Sequence, residues 1–368
     1  MKGLYIHIPF CVQKCAYCDF VSIPHGEELF RDYVHAVIRE AEEYRGEKVD
    51  SVFLGGGTPT VLPPKLLEEL LQSLQGIFRW SADAECTCES NPGTVTKDKI
   101  SALLAGGVNR ISVGVQSFDD GELKTIGRIH NAQTAYNTVC ELHQWGVSNI
   151  NIDLMTALPG QTPASLQKNL NIAVSLPITH ISAYSLILEE GTPLEQAAAN
   201  GKLTFPDEDT DREMYHFAVR FLEQHGFMQY EISNFAKPGF QCRQNLKYWD
   251  CDEYIGLGAA AHSYIGKRRF SNSSNIRQYI TGNQREESIL TRSDEISEFM
   301  MLGLRKTNGV SEQEFQKRFG VSVQTLFPKQ TERFIKLGLL TEQNGFYRLT
   351  PRGMDVSNSV MCEFMMNL

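Results

Sequence analysis

Leu4-Tyr5-Ile6-His7-Ile8-Pro9-Phe10-Cys11-Val12-Gln13-Lys14-Cys15-Ala16-Tyr17-Cys18 decides how this chain is read. Residues 4–8 carry the apolar, β-branched character of a strand, and Pro9 ends it. Three cysteines follow at C-x3-C-x2-C spacing. Three thiolates on one loop can hold three irons of a [4Fe-4S] cubane and leave the fourth open to an exchangeable ligand. A structural zinc site would need a fourth protein donor, for which Asp19 or His7 is at hand. Plain packing explains three neighbouring thiols poorly. The nine cysteines are an odd number, which suits reduced thiols and metal better than a disulfide framework and points to the cytosol.

Outward from this loop, residues 4–8, 51–54, 85–88, 110–115, 150–155 and 180–186 read as strands separated by amphipathic helices, the rhythm of a parallel βα sheet. Leu66, Leu67, Leu70, Leu71 and Leu74 follow the Pro63-Pro64 start at helical spacing; Ile100, Leu103 and Leu104 precede the Gly106-Gly107 stop. Six units fall short of a closed eight-fold barrel. The expected α/β fold is a partial (β/α)6 barrel over residues 1–235, with its site at the C-terminal strand ends. A connecting segment is expected over 236–290, where Gly256-Leu257-Gly258-Ala259-Ala260-Ala261 reads as close backbone packing. A small winged-helix-like domain is expected over 291–368: helices at 294–304, 311–319 and 328–337, then a hairpin turning at Asn344-Gly345.

The formal net charge of −9 leaves no generic basic footprint for nucleic acid. In this tail Lys329, Arg333 and Lys336 are partly offset by Glu332 and Glu342, so a structural or partner-docking role is expected there rather than DNA binding. Met1 leads almost directly into the first strand, without a signal peptide, and no long apolar run suggests a membrane span. A cytoplasmic, soluble protein is expected.

With Tyr17 before the last cysteine, the motif resembles the radical S-adenosylmethionine (SAM) superfamily. Tyr5-Ile6-His7-Ile8-Pro9-Phe10-Cys11, Gly55-Gly56-Gly57-Thr58-Pro59-Thr60, Glu89-Ser90-Asn91-Pro92, Gly114-Val115-Gln116-Ser117-Phe118 and Asn151-Ile152-Asp153-Leu154 follow the order of the HemN-like family of anaerobic coproporphyrinogen III oxidases and haem chaperones. The resemblance covers nearly the whole chain. It implies a [4Fe-4S] cluster on Cys11, Cys15 and Cys18, and SAM held by Tyr5, Tyr17, Gly56, Gly57, Thr58, Glu89, Gln116, Arg128 and Asp153. In this reading the glycine turn brings backbone amides to the methionine moiety and Thr58 adds a hydroxyl. Glu89 accepts from the ammonium, Arg128 pairs with the carboxylate, Asp153 meets ribose hydroxyls and Tyr5 stands near the sulfonium.

Within that family the chain resembles the haem chaperone branch (HemW) more than the dehydrogenase. It is shorter, Tyr5 stands where dehydrogenases carry an N-terminal extension that helps to enclose the site, and the cysteine run ends in Cys18-Asp19-Phe20. No conversion of coproporphyrinogen III is therefore expected, and no catalytic residue is assigned. Residues 242–249 resemble the branch's haem-linked His-Asn-x-x-Tyr-Trp motif, ending in Tyr248-Trp249, but Gln244 stands in place of the histidine. A glutamine amide is a weak iron ligand, which leaves Cys242 or His262 as alternatives, and Gln244→His is expected to tighten haem binding if the motif faces the iron. The implied cargo is haem and the implied partner an acceptor protein, respiratory or other, with membrane association only through that acceptor.

Overall fold

The computed structural model describes residues 1–282 and 284–366. Its strands, in chain order, are β1 (Lys2–Ile8), β2 (Phe10–Cys11), β3 (Ile23–Pro24), β4 (Lys48–Gly56), β5 (Arg79–Ser90), β6 (Arg110–Gln116), β7 (Ile150–Thr156), β8 (His180–Ser185), β9 (Met228–Glu231), β10 (Asn234–Ala236), β11 (Tyr254–Leu257), β12 (His262–Ile265), β13 (Arg268–Asn272), β14 (Arg285–Ile289), β15 (Val310–Ser311), β16 (Leu340–Gln343) and β17 (Phe346–Leu349). Twelve of them make one sheet, ordered β14-β13-β12-β11-β1-β4-β5-β6-β7-β8-β10-β9.

The six expected strands are β1 and β4 to β8, all parallel in register. A seventh, β11, pairs parallel to β1 on its other side, Tyr5 opposite Gly256. The Gly-Ala run hid it, because Gly256 answers a local demand: a Cβ there would lie 2.0 Å from the His262 carbonyl oxygen on the returning strand. From β11 the sheet continues antiparallel through β12, β13 and β14.

The helix Pro64–Ile77 starts at Pro64, whose missing N–H costs nothing in a first turn, and buries Leu67, Leu70, Leu71, Leu74 and Ile77. Each such side chain contributes roughly 1.5–3 kcal/mol relative to exposure. The helix Ala132–Gln144 likewise turns Ala135, Val139 and Leu142 inward. Both cover the outside of the curved sheet and leave its concave face to polar side chains.

Residues 292–303, 312–319 and 328–336 form the expected helices, with a short extra one at Val323–Leu326. The hairpin β16–β17 turns at Asn344 and Gly345, both at positive φ (55° and 75°), as a two-residue loop requires. β15 pairs with β17 to complete a three-stranded sheet. The core here is separate, built on Phe299, Phe315 and Phe319 with ring centroids 4.9–6.0 Å apart. Arg305 ties this part to the barrel: it sits 3.7 Å from the buried Glu231 and 4.4 Å over the Trp249 ring.

Candidate functional site

The cysteine loop leaves β1 at the C-terminal end of the sheet and is pinned from two sides: Ala16 N–H donates to Ile126 O (3.1 Å), and Leu194 N–H to Ala16 O (2.9 Å). Cys11, Cys15 and Cys18 are free and half-buried. Burial pushes the Cys11 and Cys18 thiols up. Against it, Thr58 Oγ1 donates to Cys11 Sγ (3.6 Å) and Arg128 Nη1 to Cys15 Sγ (3.3 Å), donors that favour thiolate. Among the described residues no three His, Cys, Asp or Glu side chains gather as closely as the shell of a single ion requires. A cubane takes one thiolate per iron and so accepts sulfurs set further apart. Neither suggested zinc donor joins the cysteines: Asp19 is exposed, and the His7 ring is held by Tyr5 OH (3.1 Å) and Val21 O (2.8 Å).

At the end of β4 the glycine turn differs from the sequence expectation. Its amides are already engaged: Gly56 N–H donates to Glu89 Oε2 (3.1 Å), Gly57 N–H to Ile8 O (2.9 Å) and Thr58 N–H to Phe10 O (2.8 Å). Glycine is needed for room instead. A Cβ on Gly57 would meet Phe10 O at 2.7 Å; on Gly56, at φ +100°, it would meet the His7 ring at 2.3 Å. The turn thus seats the cysteine loop against β4 and offers a ligand no free amide at these positions.

The concave face above the strands gathers the remaining candidates. Glu89 ends β5, and burial followed by the nearby Asp153 charge pushes its carboxyl up to about 8. Asp153, on β7, is also raised by burial, opposed by hydrogen bonds from Asn151 (2.8 Å) and Ser182. The buried Arg110 lowers both carboxyls, and Arg128 that of Asp153, but burial outweighs them. Gln116, at φ +67° where β6 ends, accepts from Tyr184 OH (3.2 Å). Arg128 donates to Asn91 Oδ1 (2.5 Å) and to Gly114 O, while its buried Nε has no acceptor. Burial raises the Tyr17 phenol, which interacts with Arg128, Cys15 and Asp153. Sequence reasoning passed over Asn91, which joins Thr58 (Nδ2 to Oγ1, 2.7 Å) to Arg128. Its place in the quoted Glu89-Ser90-Asn91-Pro92 motif was the available signal.

Glu89 has a consequence for stability. Its carboxyl binds a proton more tightly folded than unfolded, so its contribution is complete below about pH 4.5 and is lost as pH rises toward 8. Glu89→Gln removes that dependence. Thermal unfolding of the cluster-free protein at pH 5 and pH 8.5 should show the variant gaining on the parent at the higher pH, by on the order of a few kcal/mol. A difference independent of pH would contradict the buried acid.

Beside the cysteine loop lies a cavity of about 660 Å3, walled by Tyr5, Phe20, Tyr248, Trp249, Tyr254 and Tyr264. Tyr248 and Trp249 end the helix Arg243–Trp249, which packs on β4 and β1. Gln244, a turn earlier, is 1 % exposed and absent from the cavity wall; its Oε1 accepts from Ser51 Oγ (2.7 Å) and abuts Gly3. Cys242 is fully buried, its thiol pushed up to about 12 by burial, and it too stands off the wall. His262 borders the cavity.

A parallel βα barrel with three free cysteines on its first loop and a polar concave face defines a radical SAM protein, and residues 5–173 match the Radical SAM superfamily while 290–356 match the HemN C-terminal domain. The coproporphyrinogen III oxidase (HemN) of Escherichia coli shares the fold over 100 % of this chain and 90 % of its own, at a TM-score of 0.86 and 23 % identity. The heme chaperone HemW of Bacillus subtilis (strain 168) is 37 % identical over 376 residues, covering 99 % of both chains. That of Lactococcus lactis (strain IL1403) is 36 % identical over 100 % of this chain and 98 % of its own. The chain belongs to the HemW family of radical SAM proteins. Among its described residues no helix is long and apolar enough to cross a membrane.

Proposed function

We propose that this protein is a haem chaperone that holds a [4Fe-4S] cluster on Cys11, Cys15 and Cys18, binds SAM on the concave face of the barrel, and passes haem to an acceptor protein. The observation that carries this reading is the aromatic cavity, which shares Tyr5 with the SAM face and Asp19, Phe20 and Val21 with the chain leaving the cysteine loop. A cavity of this size with six aromatic rings in its wall suits a large planar ligand.

The donor set fits SAM. Burial outweighs Arg110 at Glu89, and Arg110 and Arg128 at Asp153; an ammonium would add positive charge there, and its arrival would release the proton Glu89 holds near neutral pH. Arg128 has a spare buried N–H for a carboxylate. When bound, the cluster supplies electron donation to SAM; the chain's own part is to hold both and keep the acids paired. Asp153→Ala is expected to weaken SAM binding about tenfold by loss of an acceptor, with cluster content unchanged. Equal SAM affinity in equilibrium dialysis would show the site to be elsewhere.

The second reading, oxidative decarboxylation of coproporphyrinogen III, is favoured by the fold shared with the E. coli oxidase. Anaerobic reconstitution followed by haem titration, with a coproporphyrinogen assay on the same preparation, separates the two. Haem binding without conversion is the expected result, and robust conversion would assign the protein to the oxidase reaction.

A further inference from the structure

We propose that His262 supplies an axial nitrogen ligand to the iron of a haem bound in the aromatic cavity, while Trp249 and Arg269 meet its propionates. The proposal rests on the haem-carrier reading and assigns the iron contact within it.

Strand geometry presents His262 to the cavity. β12 alternates: Ser263 is fully buried and accepts from Gly256 N–H (2.9 Å), whereas His262 and Tyr264 lie on the opposite face and both border the cavity. Tyr264 pairs across the sheet with Tyr254 on one side and Arg269 on the other, so these side chains share that face. The helix end with Tyr248 and Trp249 also borders the cavity, and the Arg305 guanidinium packs over the indole at 4.4 Å.

The other imidazole, thiol and phenol side chains at the wall are committed or protonated. Both ring nitrogens of His7 have partners, Tyr5 OH and Val21 O. Burial pushes the Cys251 thiol up to about 12, which keeps it from presenting a thiolate. Burial raises the phenols of Tyr5, Tyr248, Tyr254 and Tyr264 as well, against ligation as phenolate. His262 is exposed, and among the described residues neither ring nitrogen has a hydrogen-bond partner. Neutral imidazole is a common haem iron ligand in proteins.

A second observation points to an anionic ligand in the same space. Among the described residues Trp249 Nε1 and Arg269 Nε are buried donors without acceptors, and both residues border the cavity; the other two nitrogens of Arg269 are held by Glu298. Buried unpaired donors are rare in native proteins and call for a partner. A haem carries two carboxylates, and a cavity that offers a nitrogen ligand, aromatic walls and two waiting donors matches each part of it.

The test uses the full chain, reconstituted anaerobically and titrated with ferric haem while its absorption spectrum is followed. The unaltered protein should bind haem with a nitrogen-ligated spectrum. His262→Ala should weaken binding on the order of tenfold or more and shift the spectrum, and His262→Met should retain binding with a thioether-ligated spectrum. His262 is exposed, so both variants should keep the parent's circular dichroism and cluster content. Cys242→Ser should behave as the parent, and so should Gln244→His, since position 244 faces Ser51 and Gly3. A His262→Ala protein with the parent's spectrum and affinity overturns the ligand assignment while leaving the carrier reading intact; a spectral shift in Gln244→His alone moves the iron to that helix. An unaltered protein that binds no haem takes down the carrier reading itself.

Discussion

Cys15→Ser is expected to abolish the iron–sulfur absorbance of the reconstituted protein, with iron content falling to background, and Cys11→Ser and Cys18→Ser to do the same. In the proposed cluster each thiolate holds one iron, and a serine hydroxyl at neutral pH is a poor substitute. The loop itself should survive, because its anchors are backbone bonds from Ala16 to Ile126 and Leu194. The unfolding midpoint of the apo protein should thus move little while the cluster is lost. Cys86→Ser and Cys88→Ser make the opposite pair. Both lie fully buried on β5, so the hydroxyl is expected to cost about 1–3 kcal/mol of stability and no iron. Cysteine-loop variants that keep their cluster, or zinc in place of iron after anaerobic preparation, would remove the basis for the cluster assignment.

The second large effect is expected at Gly56→Val, and it is an effect on folding. The space beside Gly56 holds the His7 ring, 2.3 Å from where a Cβ would stand. His7 cannot simply swing away, since Tyr5 and Val21 O hold both of its nitrogens. The φ of +100° adds backbone strain for a β-branched residue. Overpacking and strain together should cost on the order of 4 kcal/mol, read as a fall in the urea midpoint of the apo protein. Gly76→Ala is the contrasting case. That position is exposed near the end of the helix Pro64–Ile77 with nothing near its Cβ, and roughly 0.5–1 kcal/mol of added stability is expected. Equal stability of Gly56→Val and the parent would mean that His7 does not pack as described.

The six barrel strands could be read from sequence because each is a short apolar run between turn signals, and a parallel strand covered on both sides leaves that signature. β6 is buried at all of its positions. β11 escaped notice because its glycine serves a contact with β12 that no local pattern announces. The same limit applied to the glycine turn. Its presence showed that backbone had to approach something closely, and only the structure shows that the something is the Phe10 carbonyl and the His7 ring.

The sequence by itself determined the six barrel strands, the C-terminal helices and hairpin, the cysteine loop and the family, since propensity, apolar period and cysteine spacing are properties of neighbouring residues. Tertiary structure decided which residues share a space. Tyr5, Phe20, Trp249 and His262 meet around one cavity because β11 pairs with β1 and the helix Arg243–Trp249 packs on β1 and β4. Gln244, on the same helix, is turned to Ser51 and Gly3 by one more helical turn. The physical reason is that sheet closure is a non-local pairing. It fixes which face of each strand looks inward, and hence which side chains meet, while the strands themselves are specified locally.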